Sequence, residues 1–183
     1  VTLDDRTPDQ SRAADALDAL RQAGLSLATA ESLTGGGVCA RLVEIPGASD
    51  VVRGGVCTYT SALKHGILGV DAELLAERGP VDGEVAAQMA QGARKLFNAD
   101  YAISTTGVAG PGPADGHPAG TVYMALAMPS GTIIHRFSFT GSRNEVREQA
   151  ISQAITLLDE ALRAQGASAS PSFTDDSAHP AER

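Results

Sequence analysis

The chain has 183 residues, 43% of them apolar and 4% aromatic, with twenty glycines, no tryptophan and a formal net charge of −8. That length suits one domain with a full core, and the composition suits a compact, alanine-rich α/β protein. The acidic balance excludes non-specific nucleic-acid binding, which rests on Lys and Arg neutralising phosphates, and leaves room for a small anion in a local basic pocket.

Thr7-Pro8-Asp9-Gln10 reads as a helix start, with Thr7 as N-cap, Pro8 at the first helical position and Gln10 closing a capping box. Ala13, Leu17 and Leu20 share one face, and Gly24 ends the helix. Residues 25–30 read as a strand and 35–44 as a helix stopped by Pro46-Gly47. A second strand is expected over 53–60, then short helices over 61–68, with Ser61 as N-cap, and 72–78, capped by Asp71. Asp82 caps a longer helix running to Phe97. Residues 101–106 read as a strand and 107–120 as a Gly/Pro loop. Residues 121–128 and 132–139 read as a hairpin around Pro129-Ser130-Gly131. Ser142-Arg143-Asn144-Glu145 opens a last helix that reaches Arg163 and ends near Gly166. The folded domain is expected over 7–165. Residues 166–183, rich in Ser, Ala, Pro and Asp, are expected to be a disordered tail. Alternating strands and helices followed by a hairpin predict a three-layer α/β/α sandwich with a mixed β-sheet.

Cys39 and Cys57 have no metal-ligand spacing and are expected as buried free thiols. No secretory signal and no apolar stretch near membrane-spanning length is present, so a cytoplasmic location and no membrane partner are expected.

Four segments carry chemistry. In Ala30-Glu31-Ser32-Leu33-Thr34-Gly35-Gly36-Gly37 a hydroxyl sits at a strand end before a glycine turn that opens a helix. That arrangement suits a nucleophile beside an anion site, and Ser32 and Thr34 equally suit plain helix caps. The nucleophile elbow is absent, because position 30 is Ala, and no Lys follows the glycines as a Walker A loop requires. A Ser nucleophile needs a base. Tyr59 and Lys64 converge on it if Tyr59 ends the strand and Lys64 lies in the first turns of the following helix. A snorkelling Lys64 is the plain alternative, and His65 is a rival base. The loop beginning Thr106-Gly107-Val108-Ala109-Gly110 offers main-chain groups to a sugar or an amide, or is an exposed connector, with Asp115 and His117 solvated at its tip. Arg143 and Arg147 share one face of the last helix, where a phosphate or Glu145 and Glu148 would partner them.

Together these segments resemble the CinA C-terminal domain family, whose known activity is nicotinamide-nucleotide amidase of the PncC type. The resemblance rests on Ala30-Glu31-Ser32-x-Thr34-Gly35-Gly36, Ile45-Pro46-Gly47-Ala48-Ser49, Gly54-Gly55-Val56-x-x-Tyr59 with Lys64, and Leu68-Gly69-Val70. It continues in Thr106-Gly107-Val108-Ala109-Gly110-Pro111-Gly112, Gly120-Thr121-Val122-Tyr123 and Gly141-x-Arg143 with Arg147, spanning residues 10–163. It implies hydrolysis of the carboxamide of nicotinamide mononucleotide to nicotinate mononucleotide and ammonia, with no metal or other cofactor. Ser32 would be the nucleophile and Tyr59 with Lys64 its activators. N–H groups around Gly35 and Gly36 would hold the oxyanion. Thr34, Gly35, Gly36, Thr106, Gly107, Gly110 and Arg143 would bind substrate, Arg143 at the phosphate. The resemblance also implies a homodimer or higher homo-oligomer. The alternative is a non-catalytic nucleotide-binding protein of competence or DNA-damage responses, and a third reading is a serine hydrolase of another amide.

The chain departs from the family pattern in three places. Leu33 stands where many members have Cys, leaving Ser32 as the nucleophile of the motif; Ser61 stands for a frequent Asn and Ser142 for a frequent Asp. Many relatives carry a further N-terminal molybdopterin-binding-like domain, absent from these residues, so a pyrophosphatase activity tied to it is not expected.

Overall fold

The computed structural model describes residues 6–168. Helix α1 (Pro8–Ala23) starts with the expected reciprocal Thr7–Gln10 capping box and ends at Gly24 in the left-handed conformation. There follow β1 (Leu27–Glu31), α2 (Gly37–Val43), a one-turn 3-10 helix (Ala48–Asp50), β2 (Val52–Cys57), α3 (Ser61–Leu68), α4 (Ala72–Arg78) and α5 (Gly83–Phe97). The chain continues through β3 (Tyr101–Gly107), β4 (Thr121–Met128), β5 (Gly131–Ser138) and α6 (Arg143–Ser168).

The strands form one mixed sheet in the order β2-β1-β3-β4-β5. β1 runs parallel to β2 and β3, and the β3-β4 and β4-β5 pairs are antiparallel. Every residue of β1 is buried, as a central strand covered on both faces requires. One face is bulky: Leu27, Ile103, Met124 and Leu126 pack with Leu17 and Leu20 of α1, Leu42 of α2 and Ile155 and Leu158 of α6. The other face is built from alanine. Ala28, Ala30 and Ala102 meet Val85, Met89 and Ala93 of α5, while Ala125 and Ala127 meet Ala86, Ala87 and Ala90. Small residues let α5 lie close to the sheet. A Cβ at Gly92 would fall 2.1 Å from the Leu68 carbonyl oxygen, so α5 also rests directly on the end of α3. This is the predicted three-layer α/β/α sandwich with a mixed sheet.

Several local expectations shift. β1 ends at Glu31 rather than at Ala30, so the carboxylate belongs to the strand. Thr60, not Ser61, caps α3, with its hydroxyl accepting from the Leu63 N–H. Helix α2 starts at Gly37, because Gly35 and Gly36 hold left-handed backbone at φ 62° and 93°. Helix α6 passes through Gly166 to Ser168; a single glycine weakens a helix without ending it. The tail expected beyond it lies outside the described residues. Both thiols are free, but Cys57 is exposed because β2 is an edge strand, and Cys39 is half-buried. No helix among the described residues is long and apolar enough to cross a membrane.

Candidate active site

The carboxyl ends of β2, β1 and β3 meet at Ser32. The Ser32 N–H donates to the Thr105 carbonyl at 2.9 Å, and the Thr58 N–H donates to the Glu31 carbonyl at 2.9 Å, so neighbouring chains pin the residue from both sides. After β1 the chain turns to α2 on one face of the sheet; after β2 it turns to α3 on the other. Such a switch point opens a crevice beyond the strand ends. Strand alternation sends Glu31 and Ser32 to opposite faces, Glu31 towards α2 and Ser32 towards α3.

Lys64 meets Ser32 there. Thr60 caps α3 and places Lys64 in its first turn, where the side chain is 0% exposed. Its Nζ lies 2.9 Å from Ser32 Oγ and donates to the Thr58 carbonyl at 2.7 Å. Burial pushes the amine down from its usual range to about 8, against the opposing pull of the Asp115 carboxylate. An amine so placed is partly neutral near physiological pH, and its lone pair can take the serine proton. The rival His65 turns away, with Nδ1 2.8 Å from the Val70 carbonyl. Tyr59 follows β2 as expected, but it is 58% exposed and its hydroxyl accepts from Arg143 Nη2 at 2.8 Å. It stands at the mouth of the cleft, bonded neither to Ser32 nor to Lys64. Partial burial, then the Glu31 carboxylate, pushes the Cys39 and Cys57 thiols up, which keeps them protonated.

The glycine turn is arranged differently from the expectation. The Gly36 and Val38 N–H groups donate to Glu31 Oε2 at 2.9 and 3.0 Å, and the Cys39 N–H donates to Oε1 at 2.8 Å. The Thr29 and Thr34 hydroxyls donate to the same carboxylate at 3.1 and 2.7 Å. The Gly35 N–H closes the turn onto the Ser32 carbonyl at 3.1 Å. The helix start is therefore filled by the protein's own carboxylate, which is 1% exposed, and the Gly35 and Gly36 N–H groups are not presented to a ligand. Thr34 is fully buried, bonded also to the Thr105 hydroxyl at 2.7 Å, and lies behind the cleft. Gly37 is small because a Cβ there would fall 2.3 Å from Ile151 Cδ1 of α6. Glu31 is the residue that reading the sequence missed; its signal was a lone carboxylate closing an otherwise apolar strand. Arg147 has a similar supporting place, with Nε and Nη2 donating to the Leu33 and Thr34 carbonyls at 2.9 and 3.0 Å.

An open cleft of about 200 Å³ lies over Ser32, lined among others by Lys64, Tyr59, Thr106, Gly107, Gly110, Asp115 and Arg143. Thr106 turns its hydroxyl to the Pro80 carbonyl at 2.6 Å, tying the wall formed by Pro80 and Val81 to β3. Gly107 passes so close to β4 that a Cβ would fall 2.5 Å from the Thr121 carbonyl oxygen. Arg143 closes one side, donating to the Gly110 carbonyl at 2.6 Å as well as to Tyr59. The structure thus brings Ser32, Tyr59, Lys64, Thr106, Gly107, Gly110 and Arg143 to one cleft and leaves Thr34, Gly35 and Gly36 behind it. Among the described residues no three His, Cys, Asp or Glu side chains form a metal-ligating group.

Comparison with known proteins extends this picture. A CinA-like protein of Frankia casuarinae is 42% identical over 154 residues, which make up 84% of this chain and 36% of that protein. The chain thus spans little more than a third of that relative. The crystal structure of a CinA superfamily protein from Klebsiella pneumoniae matches with a TM-score of 0.82 at 34% identity, over 86% of this chain and 99% of that one. A competence/damage inducible protein from Agrobacterium tumefaciens matches at 0.81 and 35%, over 86% and 97% of the two chains. The CinA C-terminal domain description matches residues 9–162, and the chain belongs to that family.

Proposed function

We propose that the protein is a serine amidase that hydrolyses the carboxamide of nicotinamide mononucleotide to nicotinate mononucleotide and ammonia. The observation that carries this reading is the fully buried Lys64 amine, pushed down to about 8 and 2.9 Å from Ser32 Oγ. In this reading neutral Lys64 takes the Ser32 proton as Oγ bonds to the carboxamide carbon. The carbonyl electron pair moves to oxygen, and the Leu33 N–H, next in chain after the nucleophile and beside the cleft, is the candidate oxyanion donor. When the C–N bond breaks, Lys64 returns the proton to the leaving nitrogen and ammonia departs. Water then attacks the acyl ester, again giving its proton to Lys64. The ester C–O bond then breaks, Lys64 returns that proton to Ser32 Oγ, and the acid product leaves as the carboxylate, its remaining proton passing to solvent. The Thr58 carbonyl holds one amine hydrogen and so aims the lone pair at Oγ. Arg143, at the cleft edge, faces the nucleotide phosphate, and Tyr59 orients Arg143.

Ammonia release from nicotinamide mononucleotide, measured with wild type, Ser32→Ala and Lys64→Met, tests the reading. Release by wild type alone is the expected result. Binding of the nucleotide without release would favour a binding module, and retained release by Ser32→Ala would remove the nucleophile.

A further inference from the structure

We propose that Asp115 makes the cleft selective for amides carried on a cationic ring, its carboxylate facing the ring charge while Arg143 takes the opposite end of a dipolar nucleotide. This rests on the amidase reading of the same cleft. Asp115 and Gly116 form the tip of a two-residue turn, at φ 50° and 75°, between Ala114 and His117, which exchange both backbone hydrogen bonds at 3.0 and 2.9 Å. Asp-Gly is a favoured pair for such a turn, and this accounts for the backbone. It does not account for the place of the side chain. Asp115 lines the cleft with Ser32 and Lys64, beside Gly79, where a Cβ would lie 4.0 Å from its own Cβ.

The charged residues lining the cleft are Lys64, Asp115 and Arg143. Lys64 must be neutral to act, and Arg143 is bonded to Tyr59 and Gly110. Asp115 makes no ion pair and no side-chain hydrogen bond among the described residues, so it is the negative charge of the cleft left open to a ligand. Its field reaches Lys64 and favours the ammonium, which works against the base. That handicap disappears once a cation bound over Ser32 screens the carboxylate. A pyridinium ring bearing the carboxamide is such a cation, and binding it also releases Lys64 towards its neutral form. A neutral ring of the same shape brings neither effect.

The test compares nicotinamide mononucleotide with its reduced form, whose dihydropyridine ring is uncharged and whose phosphate is unchanged. Dissociation constants are measured by calorimetry on the full chain carrying Ser32→Ala, with Asp115 intact or as Asp115→Asn. Asn keeps the turn and removes the charge. The intact protein should prefer the oxidised nucleotide by about fivefold, a modest ratio because Asp115 is exposed to solvent, and Asp115→Asn should bring the ratio to about one. A ratio unmoved by the substitution, or no preference at the outset, overturns the inference. Ammonia release by wild type with an unmoved ratio overturns the role of Asp115 alone. A ratio that collapses while wild type releases no ammonia overturns the amidase reading alone. Failure to bind either nucleotide overturns both.

Discussion

Glu31 and Ser32 are consecutive, both nearly sealed from solvent, and they show two opposite ways of burying polar chemistry. Glu31 points to the α2 side, where its two oxygens accept from three backbone N–H groups and two hydroxyls. A carboxylate so surrounded is satisfied, and its work is to hold a turn. Ser32 points to the α3 side and meets an amine that is as deeply buried but, among the described residues, has only the Ser32 hydroxyl and the Thr58 carbonyl for partners. Among the described residues no carboxylate is bonded to Lys64, and burial brings its ammonium and neutral forms close in energy near pH 8. A saturated buried charge stabilises a fold, whereas an under-partnered one is a source of reactivity held at a cost to stability.

That contrast breaks most visibly in substitutions of the reactive side. Ser32→Ala should lower amide hydrolysis by about four orders of magnitude or more, since the remaining groups then act without a nucleophile. Lys64→Met should cost a comparable factor while raising the melting temperature. Holding the amine at about 8 instead of its ordinary 10.5 corresponds to about 3 kcal/mol, of which the unpaired Thr58 carbonyl would take back about 1. A thermal melt of Lys64→Met that falls below wild type would show the lysine to be a structural element like Glu31. The pH dependence sharpens the same point. Below about pH 8 the wild-type kcat/KM should rise about tenfold per pH unit, as Lys64 loses its proton, and then level off. For stability, the unfolded chain binds the extra proton between about 8 and 10.5, so wild-type stability rises with pH across that window and is unaffected by this group below it. The stability gap between wild type and Lys64→Met should therefore close on going alkaline.

On the saturated side the sign reverses. Glu31→Gln puts an amide where only acceptors serve, so whichever oxygen it replaces, a buried N–H such as that of Cys39 loses its partner. The expected loss is about 2–3 kcal/mol in chemical denaturation, with a smaller fall in kcat through the loosened turn after Ser32. Arg147→Met should cost about 1–2 kcal/mol, because two carbonyls of that turn lose a charged donor. If either substitution abolished activity at unchanged stability, the division between the two faces would fail.

The parts of this site that the sequence made legible are those set by neighbours in the chain. The capping box at Thr7 and Gln10, the strand leading to Ser32, and the break between Tyr59 and Lys64 all follow from local rules, and their geometry brings Lys64 onto Ser32. Glu31 was hard to read because three of its five partners are backbone N–H groups, of Gly36, Val38 and Cys39, which carry no side-chain signature, and the Thr29 and Thr34 hydroxyls fit other roles equally well. The same cause misplaced the anion site at Gly35 and Gly36, since helix-start donors look free until something buried takes them. Cys57 was expected inside as a free thiol in a strand; only the sheet order, with β2 at the edge, exposes it. Asp115 was rightly placed at a turn, but its approach to the cleft depends on how residues 107–120 fold back. The α3 cap moved by one residue because Thr60 and Ser61 offer the same hydroxyl.

The smallest effect decides what the glycines do. If Gly35 were there to let a ligand approach bare backbone, a methyl group would block binding and raise KM. The structure gives a different reason: φ at Gly35 is 62°, a conformation that costs an L-residue about 1 kcal/mol, and its N–H already bonds to the Ser32 carbonyl. A Cβ there would lie 3.6 Å from Arg147 Nη2, an ordinary contact on the side away from the cleft. Gly35→Ala should therefore lose about 1 kcal/mol of stability and leave KM for the nucleotide within about twofold of wild type. A KM raised about tenfold at that small stability cost would instead place substrate against the turn. The glycine turn would then belong to the reactive side of β1, with Ser32, and not to the sealed side with Glu31.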